Sequence, residues 1–250
     1  MAFSGFWKTE KKSVRFADVH CHILCGVDDG SRSKEMSVSM LRQAAREGVE
    51  AMILTPHFFA GRSVITKDDI HKKTEELSEI CLREGIGIEL YPGAELYYTE
   101  EADEALKRGE VPTLNDTNRL LVEFSTDALN VSIVNAVKMI SGLGYVPVIA
   151  HVERYEHVIY EPGRVEVLRD LGAEIQVNVP TLAAERRSPI RPFAEKLIKR
   201  QLVDYLGTDA HDDEMRKVEI QKTVGRLYKK YDRNYIEEIT YLNARTLMDA

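Results

Sequence analysis

The chain has 250 residues and 44% hydrophobic content, enough to fill a sizeable core in one large domain or two small ones. Its formal net charge of −7 argues against a broad surface for nucleic-acid phosphates, so no nucleic-acid partner is expected. No run approaches the ~18 apolar residues of a membrane span, so no membrane insertion is expected either.

Strand-like and helix-like segments alternate along the chain after a polar, broken stretch at 1–13, which is predicted to be an N-terminal arm. Strict alternation of the two types predicts a parallel sheet with right-handed crossovers. The length favours a barrel of about seven β/α units in a single domain over 1–250 rather than a doubly wound sheet with a second domain. Strands are predicted at 14–19, 51–55, 86–91, 119–124, 145–150, 173–178 and 203–207. Helices are predicted at 34–47, 67–83, 100–108, 132–142, 164–171, 190–200, 214–231 and 235–248, with N-caps at Thr66 and Asn234.

The first predicted strand leads into two histidines, His20 and His22, that are one residue apart. Because side chains alternate along an extended backbone, both should point to the same side, and Cys21 between them should face away into packing. Imidazole is the commonest metal-binding side chain near neutral pH. An isolated pair of this kind is nevertheless a weak signal, because surface and structural histidines are more frequent.

Polar residues also follow the other predicted strands. Five of the seven histidines and four carboxylates share this position, and in a parallel barrel the carboxyl ends of the strands form the face that carries the active site. The alternative is that these are rim and loop residues distributed by chance. This alternative is less favoured because so many of them occupy the same position relative to a strand. The candidate metal ligands are His20, His22, Asp28, His57, Glu95, Glu123, His151, Asp209 and His211.

A mixed set of histidines and carboxylates without a thiolate suits Zn²⁺, Mn²⁺, Fe²⁺ or Mg²⁺. Nine candidates are too many for one ion, so a carboxylate that bridges two cations is expected, as in two-metal phosphoester hydrolysis. Arg154 and Arg216 are candidates to bind an anionic group beside the metals, with a surface ion pair as the alternative for each. His71 and His157 are predicted to face solvent.

The stretch at 1–13 is too polar and broken for the apolar region of a signal peptide, so a cytoplasmic location is expected. The three cysteines, Cys21, Cys25 and Cys81, have no zinc-ribbon or CxxC spacing, so reduced thiols are expected. None of them has an arginine six residues further on, which argues against the phosphate loop of cysteine-dependent phosphatases. No GxSxG elbow or P-loop occurs either. A thiolate or serine nucleophile is therefore unsupported.

Six motifs follow one another from about Asp18 to the carboxyl terminus: DVHCHILCGVDDGS, TPH, GAELY, VEF, IAHVERY and TDAH. Together they resemble the polymerase-and-histidinol-phosphatase (PHP) superfamily. Within it they are similar to the manganese-dependent protein-tyrosine phosphatases of the Gram-positive CpsB/YwqE type, which act on the tyrosine autokinases of capsule and exopolysaccharide synthesis. The resemblance implies a distorted (β/α)7 barrel of the PHP type with up to three metal ions. The metal it implies is Mn²⁺, with Mg²⁺, Fe²⁺ or Zn²⁺ as alternatives.

The same resemblance implies a role for each candidate residue. Glu95 would bridge the first and second metals, Arg154 and Arg216 would bind phosphate, and Asp29 would protonate the leaving group. Glu123 stands where many superfamily members have histidine, which fits the tyrosine-phosphatase branch. The implied ligand groups are His20, His22, Glu95 and Asp209 for the first metal, Glu95, Glu123 and His151 for the second, and Asp28, His57 and His211 for the third.

Three functions fit these observations. The first is hydrolysis of phosphotyrosine on a tyrosine autokinase, by a metal-bridging hydroxide that attacks phosphorus in line. The second is a small-molecule phosphatase, such as a histidinol phosphatase, and the third is a non-catalytic metal-binding scaffold. The loop at 58–65 favours a peptide substrate, because it offers aromatic and basic contacts at the rim from Phe58, Phe59, Arg62 and Val64.

The sequence does not define the oligomeric state.

Overall fold

The computed structural model describes residues 14–63, 65–159, 161–184 and 188–250, so the predicted arm at 1–13 and Val64 lie outside the described residues. Within these ranges the strands pair in parallel in two sheets, ordered β1-β2-β4 and β3-β5-β6-β7-β8-β9. The strands are β1 Phe16–Asp18, β2 Val49–Leu54, β3 His57–Phe59, β4 Glu89–Pro92, β5 Glu95–Tyr97, β6 Arg119–Glu123, β7 Val146–Ile149, β8 Glu174–Asn178 and β9 Tyr205–Gly207.

All seven predicted strands are present, and two short strands that the sequence did not predict, β3 and β5, follow the second and the third. β2 ends before Pro56, which lacks the N–H that a strand needs, and the chain resumes as β3. β4 ends before Gly93, which packs so closely on Ile53 that a β-carbon there would lie 2.6 Å from Cγ2 of Ile53. The two additional strands pair with each other in the other sheet and carry candidate ligands.

The last strand lies beside the first at the metal-ligand end. One parallel bridge joins Cys21 and Ala210, and the backbone N–H of Asp209 donates to the carbonyl of His20 at 2.7 Å. Asp18 accepts hydrogen bonds from the backbone N–H and the hydroxyl of Thr208, at 3.0 and 2.5 Å. Among the described residues, no continuous ladder of hydrogen bonds joins the two sheets into a closed barrel. The first and last strands are nevertheless neighbours, and the parallel α/β arrangement fits a distorted barrel.

The helices largely match their predicted ranges. Thr66 caps α2 as predicted, in a capping box with Asp69, but the last helical segment is capped by Asp232 rather than Asn234, because the Asp232 side chain accepts from the N–H of Tyr235. None of the described helices is both long and apolar enough to cross a bilayer. The helices are α1 Lys34–Glu47, α2 Lys67–Glu84, α3 Glu100–Lys107, α4 Asn130–Gly142, α5 Pro162–Asp170, α6 Val179–Ala183, α7 Ile190–Lys199, α8 Gln221–Lys230, α9 Arg233–Glu237 and, after a π turn at Glu238–Leu242, α10 Asn243–Met248.

The predicted helix at 214–231 begins late, at Gln221. A carboxylate oxygen of Asp212 accepts from the backbone N–H groups of Glu214, Met215 and Arg216, which holds this segment in a tight turn. An aspartate that binds the N–H groups of the next residues offers the backbone an alternative to the helix. The turn places Arg216 beside the strand ends.

Two apolar clusters support the strands. The larger one lies between the strands and the surrounding helices. The smaller one lies among alternate residues of β1, β2, β6 and β7, and the carboxyl-terminal segment packs against it from the amino-terminal end of the strands, where Asn243 donates to the carbonyl of Asp204 before β9. Its members include Ala17, Val19, Ala51, Ile53, Leu121, Val148, Ala150, Tyr241, Ala244, Leu247 and Met248. The opposite, carboxyl-terminal end remains for polar residues.

Candidate metal centre

The register of the short strands sets which side chains meet. His57 on β3 is paired with Glu95 on β5, and Tyr97 on β5 with Glu123 on β6. Because alternate residues of a strand share a face, His57 and Phe59 point the same way, as do Glu95 and Tyr97. His57 and Glu95 therefore lie side by side at one level of the strand ends, and Phe59, Tyr97 and Glu123 lie one pleat further out.

The first group surrounds the paired histidines. The Nε2 atoms of His20 and His22 are 3.2 Å apart, and Nε2 of His20 lies 3.2 Å from Oε1 of Glu95. Oδ1 of Asp209 lies 3.6 and 3.5 Å from the same two nitrogens. All four side chains are almost completely buried. Cys21 faces the opposite way, with its sulfur 3.4 Å from the carbonyl oxygen of Ile53, as the alternation predicts.

The second group shares Glu95 with the first. Nε2 of His151 lies 3.2 Å from Oε1 of Glu95 and 3.3 Å from Oε1 of Glu123. Nδ1 of His57 lies 3.1 Å from Oε2 of Glu95 and 3.6 Å from Oε2 of Glu123. Glu95 thus stands between two groups of nitrogen and oxygen donors, which is the position of a bridging carboxylate.

The third group contains Asp29 rather than Asp28. Oδ1 of Asp29 lies 3.5 Å from Nε2 of His57 and 3.4 Å from Nε2 of His211, and the three form a ligand-type cluster with His22. Asp28 instead lies behind His22, 2.8 Å from its Nδ1, and accepts from the backbone N–H groups of His57 and Gly30. The carboxylate of Asp28 is therefore occupied by neighbouring donors, whereas that of Asp29 faces the cluster.

The donor atoms have the arrangement expected of cation ligands. Nδ1 of His57 and Oε2 of Glu95 are close, yet neither atom makes a hydrogen bond to any of the described residues, and the same holds for Nε2 of His211. Buried polar atoms without partners are costly, and a cation between them satisfies several at once. Histidine and carboxylate donors of this kind fit Zn²⁺, Mn²⁺ or Fe²⁺.

Burial and the neighbouring charges shift the pKa values of the ligand-type side chains. Burial raises the pKa of Glu95, but His20 and the other histidines outweigh it and hold that pKa well below its usual range. Burial by itself lowers the pKa of His151, but hydrogen bonds to Glu123 and Glu95 raise it to about 9. Burial, with positive charge from His22, lowers the pKa of His211 to about 4. In the metal-free protein near pH 7, His211 is neutral and His151 is protonated.

Metal binding should therefore depend on pH. A ligand histidine must lose its proton, so the affinity for Mn²⁺ is expected to rise with pH up to about 9, the pKa of His151. The slope should be about tenfold per pH unit for each proton released. The folding stability of the metal-free protein should change with pH in the opposite direction. A raised histidine pKa stabilises the fold below pH 6.5, and that contribution is lost as pH rises through about 9.

Calorimetric Mn²⁺ titrations at several pH values check the pH dependence of the affinity. Thermal unfolding of the metal-free protein over the same pH range checks that of the folding stability. The metal-loaded protein is the control, since its melting temperature should not fall over the same interval. An affinity for Mn²⁺ that is constant between pH 6.5 and 9 would contradict the protonated state of His151.

Close backbone approach and local strain hold the ligands in place. A β-carbon on Gly207 would lie 2.8 Å from Cβ of His20, and one on Gly30 would lie 2.2 Å from the carbonyl oxygen of His22. His151 and Asp209 have φ values of 31° and 53°, in the left-handed region that non-glycine residues seldom adopt. Such strain is concentrated at functional sites in proteins.

A buried polar relay on β8 supports the ligands, and the sequence interpretation did not assign it. Oε1 of Gln176 lies 3.1 Å from Nδ1 of His20 and accepts from the backbone N–H of His151 at 2.8 Å. Gln176 donates to Asn178, which donates to Oδ2 of Asp209 at 2.8 Å. The available signal was the alternation of polar and apolar residues in Ile-Gln-Val-Asn, which places Gln176 and Asn178 on the same face.

The two candidate arginines flank one carboxylate at the opening. Nη2 of Arg154 lies 2.8 Å from Oδ2 of Asp209, and Nη2 of Arg216 lies 3.1 Å from Oδ1 of the same residue. Arg216 also approaches Asp29 at 4.0 Å. Both arginine side chains remain more than one-third exposed. Their positive charge therefore borders the ligand groups and stays accessible to an anionic substrate.

The nine predicted ligands and both arginines thus converge on one end of a parallel α/β fold, with Asp28 set back by one layer. This arrangement is typical of metal-dependent hydrolases. The chain belongs to the CpsB/CapC family of capsular polysaccharide synthesis, whose model matches residues 16–249. The resemblance drawn from the motifs is confirmed.

Individual relatives support this assignment. The tyrosine-protein phosphatase CpsB of Streptococcus pneumoniae is 32% identical over 236 residues, covering 92% of this chain and 97% of the relative. A structure described as a metal-dependent tyrosine phosphatase, from work on YwqE of Bacillus subtilis and CpsB of Streptococcus pneumoniae, matches with a TM-score of 0.85 and 28% identity over 93% and 94% of the two chains. Histidinol phosphate phosphatase from Lactococcus lactis shares the fold, with a TM-score of 0.52 and 13% identity over 94% and 93%.

Proposed function

We propose that this protein is a metal-dependent tyrosine phosphatase that hydrolyses phosphotyrosine on a tyrosine autokinase of capsule or exopolysaccharide synthesis. The observation that carries the proposal is the convergence of three ligand groups, joined through Glu95 and His22, on an opening bordered by Arg154 and Arg216. Relatives that match over most of their length are tyrosine phosphatases. Free thiols at all three cysteines support a cytoplasmic location.

The ligand groups would hold up to three cations, for which we propose Mn²⁺. When bound, divalent cations supply Lewis acidity at the phosphoryl oxygens and make water a competent nucleophile near neutral pH. The guanidinium groups of Arg154 and Arg216 would bind the remaining phosphoryl oxygens, whose negative charge they stabilise. Asp209, between them, would keep both oriented in the absence of substrate.

This proposal moves the ligand role in the third group from Asp28 to Asp29 and assigns the role of leaving-group acid to neither residue. Asp29, next to His57 and His211, would be the carboxylate ligand of the third group. Asp28 would orient His22 by accepting from its Nδ1, as carboxylates commonly do behind ligand histidines. The tyrosyl leaving group has a pKa of about 10 and needs less protonation than an alkoxide, so a dedicated acid is not required.

A comparison of substrates tests the function. The Mn²⁺-loaded protein should hydrolyse a phosphotyrosyl peptide at a rate well above that for histidinol phosphate, and a chelator should remove the activity. A strong preference for histidinol phosphate would replace the proposal by the small-molecule phosphatase. Absence of chelator-sensitive activity on either substrate would favour a non-catalytic scaffold.

A further inference from the structure

A cavity of about 450 Å³ opens beside the third ligand group. One wall is made by His57, and the outer rim by the turn that follows β3, through Phe59, Arg62 and Ser63. The turn is held by its own hydrogen bonds, because the N–H groups of Arg62 and Ser63 donate to the carbonyl of Phe59. The cavity therefore has a defined rim rather than a loose loop.

Two aromatic rings stand directly above the ligands. Phe59 is paired with Tyr97 in the register that also pairs His57 with Glu95, and the ring centroids of Phe59 and Tyr97 are 5.2 Å apart. The ring centroids of His57 and Phe59 are 5.9 Å apart, so the two aromatic rings lie about one pleat step outward from His57 and Glu95, at the level of Glu123. Phe59 is 36% exposed, whereas the neighbouring Phe58 is buried on the other face.

We propose that Phe59 and Tyr97 form an aromatic rim that selects aryl over alkyl phosphate esters, and that Arg62 favours an acidic residue next to the phosphotyrosine. This inference rests on the proposed phosphatase function. A phosphoryl group at the ligands places the tyrosine ring outward at the level of the rim, where aromatic contact is favourable. A phosphoserine has no ring to span this depth, so its peptide backbone would be drawn against the two rings, with amide groups left unpartnered.

The charges at the rim support the proposed preference of Arg62 for an acidic residue beside the phosphotyrosine. The other charged side chains lining the cavity within the described residues are Asp28 and Asp29, both acidic. Arg62 is exposed and forms no ion pair within 4.0 Å in the described part of the chain. An acidic side chain beside the phosphotyrosine would therefore meet a guanidinium group whose charge acts on Glu101 but that forms no ion pair with it within the described residues.

Paired peptides test the aromatic rim. The measured quantity is kcat/KM of the Mn²⁺-loaded protein for a phosphotyrosyl peptide, divided by that for the phosphoseryl peptide of the same sequence. Phe59→Ala should lower this ratio about 10-fold, and Phe59→Trp should retain it. Leu82→Ala, at a side chain that is 83% exposed on α2 outside the cavity, is the matched control and should leave the ratio unchanged.

A second pair of phosphotyrosyl peptides, with glutamate or glutamine beside the tyrosine, tests Arg62. The wild-type protein should prefer glutamate about 2- to 5-fold, Arg62→Ala should abolish the preference, and Arg62→Glu should reverse it. Arg83→Ala, on the exposed end of α2, is the control. Unchanged ratios in the Phe59 and Arg62 variants of an active enzyme overturn this inference and leave the proposed function standing. A wild-type protein inactive on every phosphopeptide overturns the proposed function as well.

Discussion

Replacing His20 and His22 together with alanine is expected to reduce metal-dependent phosphatase activity to background. The two Nε2 atoms are 3.2 Å apart, and His22 belongs to two of the ligand groups, so the double substitution removes donors from both. Without these donors the first group keeps only the carboxylates Glu95 and Asp209. The measurement is the rate on a phosphotyrosyl peptide with saturating Mn²⁺, together with the bound metal counted per protein chain.

The double variant of His71 and His157 to alanine is the matched control. His157 is exposed as the sequence predicts, and His71 is partly exposed, with Nε2 3.2 Å from Asp116 at the surface. This variant should keep full activity and metal content. Circular dichroism should show that both variants remain folded. Full activity in the His20 and His22 variant would contradict the proposed metal centre.

Asp29→Asn is expected to lower activity about 1,000-fold or more, whereas Asp28→Asn should lower it about 10- to 100-fold. The difference follows from their positions. Asp29 faces His57 and His211 and would lose an anionic ligand, while Asp28 contacts His22 from behind and would only loosen its orientation. The measurement is kcat/KM on the phosphotyrosyl peptide as a function of Mn²⁺ concentration.

The Mn²⁺ dependence separates the two roles further. The activity of Asp28→Asn should recover in part at high Mn²⁺, because the ligand atoms themselves remain. The Asp29→Asn protein should bind fewer metal ions per chain at every concentration. The opposite result, in which Asp28→Asn loses a metal ion and Asp29→Asn does not, would contradict this assignment. Asp28 would then be the metal ligand, as the motifs imply, and Asp29 would not.

The positions of the ligands along the chain could be predicted because they depend on local patterns. Each candidate follows a strand-like run, and parallel strands bring such positions to one edge. The prediction that His20 and His22 share a side, with Cys21 opposite, needed only the alternation of an extended backbone. The structure brings these residues together as expected. The single-domain arrangement over 1–250 stays a prediction.

Other features could not be predicted because they depend on contacts between distant segments. The end of β4 before Gly93 follows from the close packing of Gly93 on Ile53 of β2. Arg216 reaches Asp209 because the segment before α8 forms a turn around Asp212 instead of a helix. The relay through Gln176 joins residues 156 positions apart, which no short pattern records.

The sequence alone determined the class of chemistry, since nine ligand-type residues and two arginines at strand ends, within specific motifs, indicate a metal-dependent phosphoesterase. Only the tertiary structure decided which of Asp28 and Asp29 faces the cluster. The two are adjacent in a loop without periodicity, so nothing local distinguishes them. The choice depends on donors that the fold brings to Asp28, from the ring of His22 and the backbone of His57, and these leave Asp29 facing the centre.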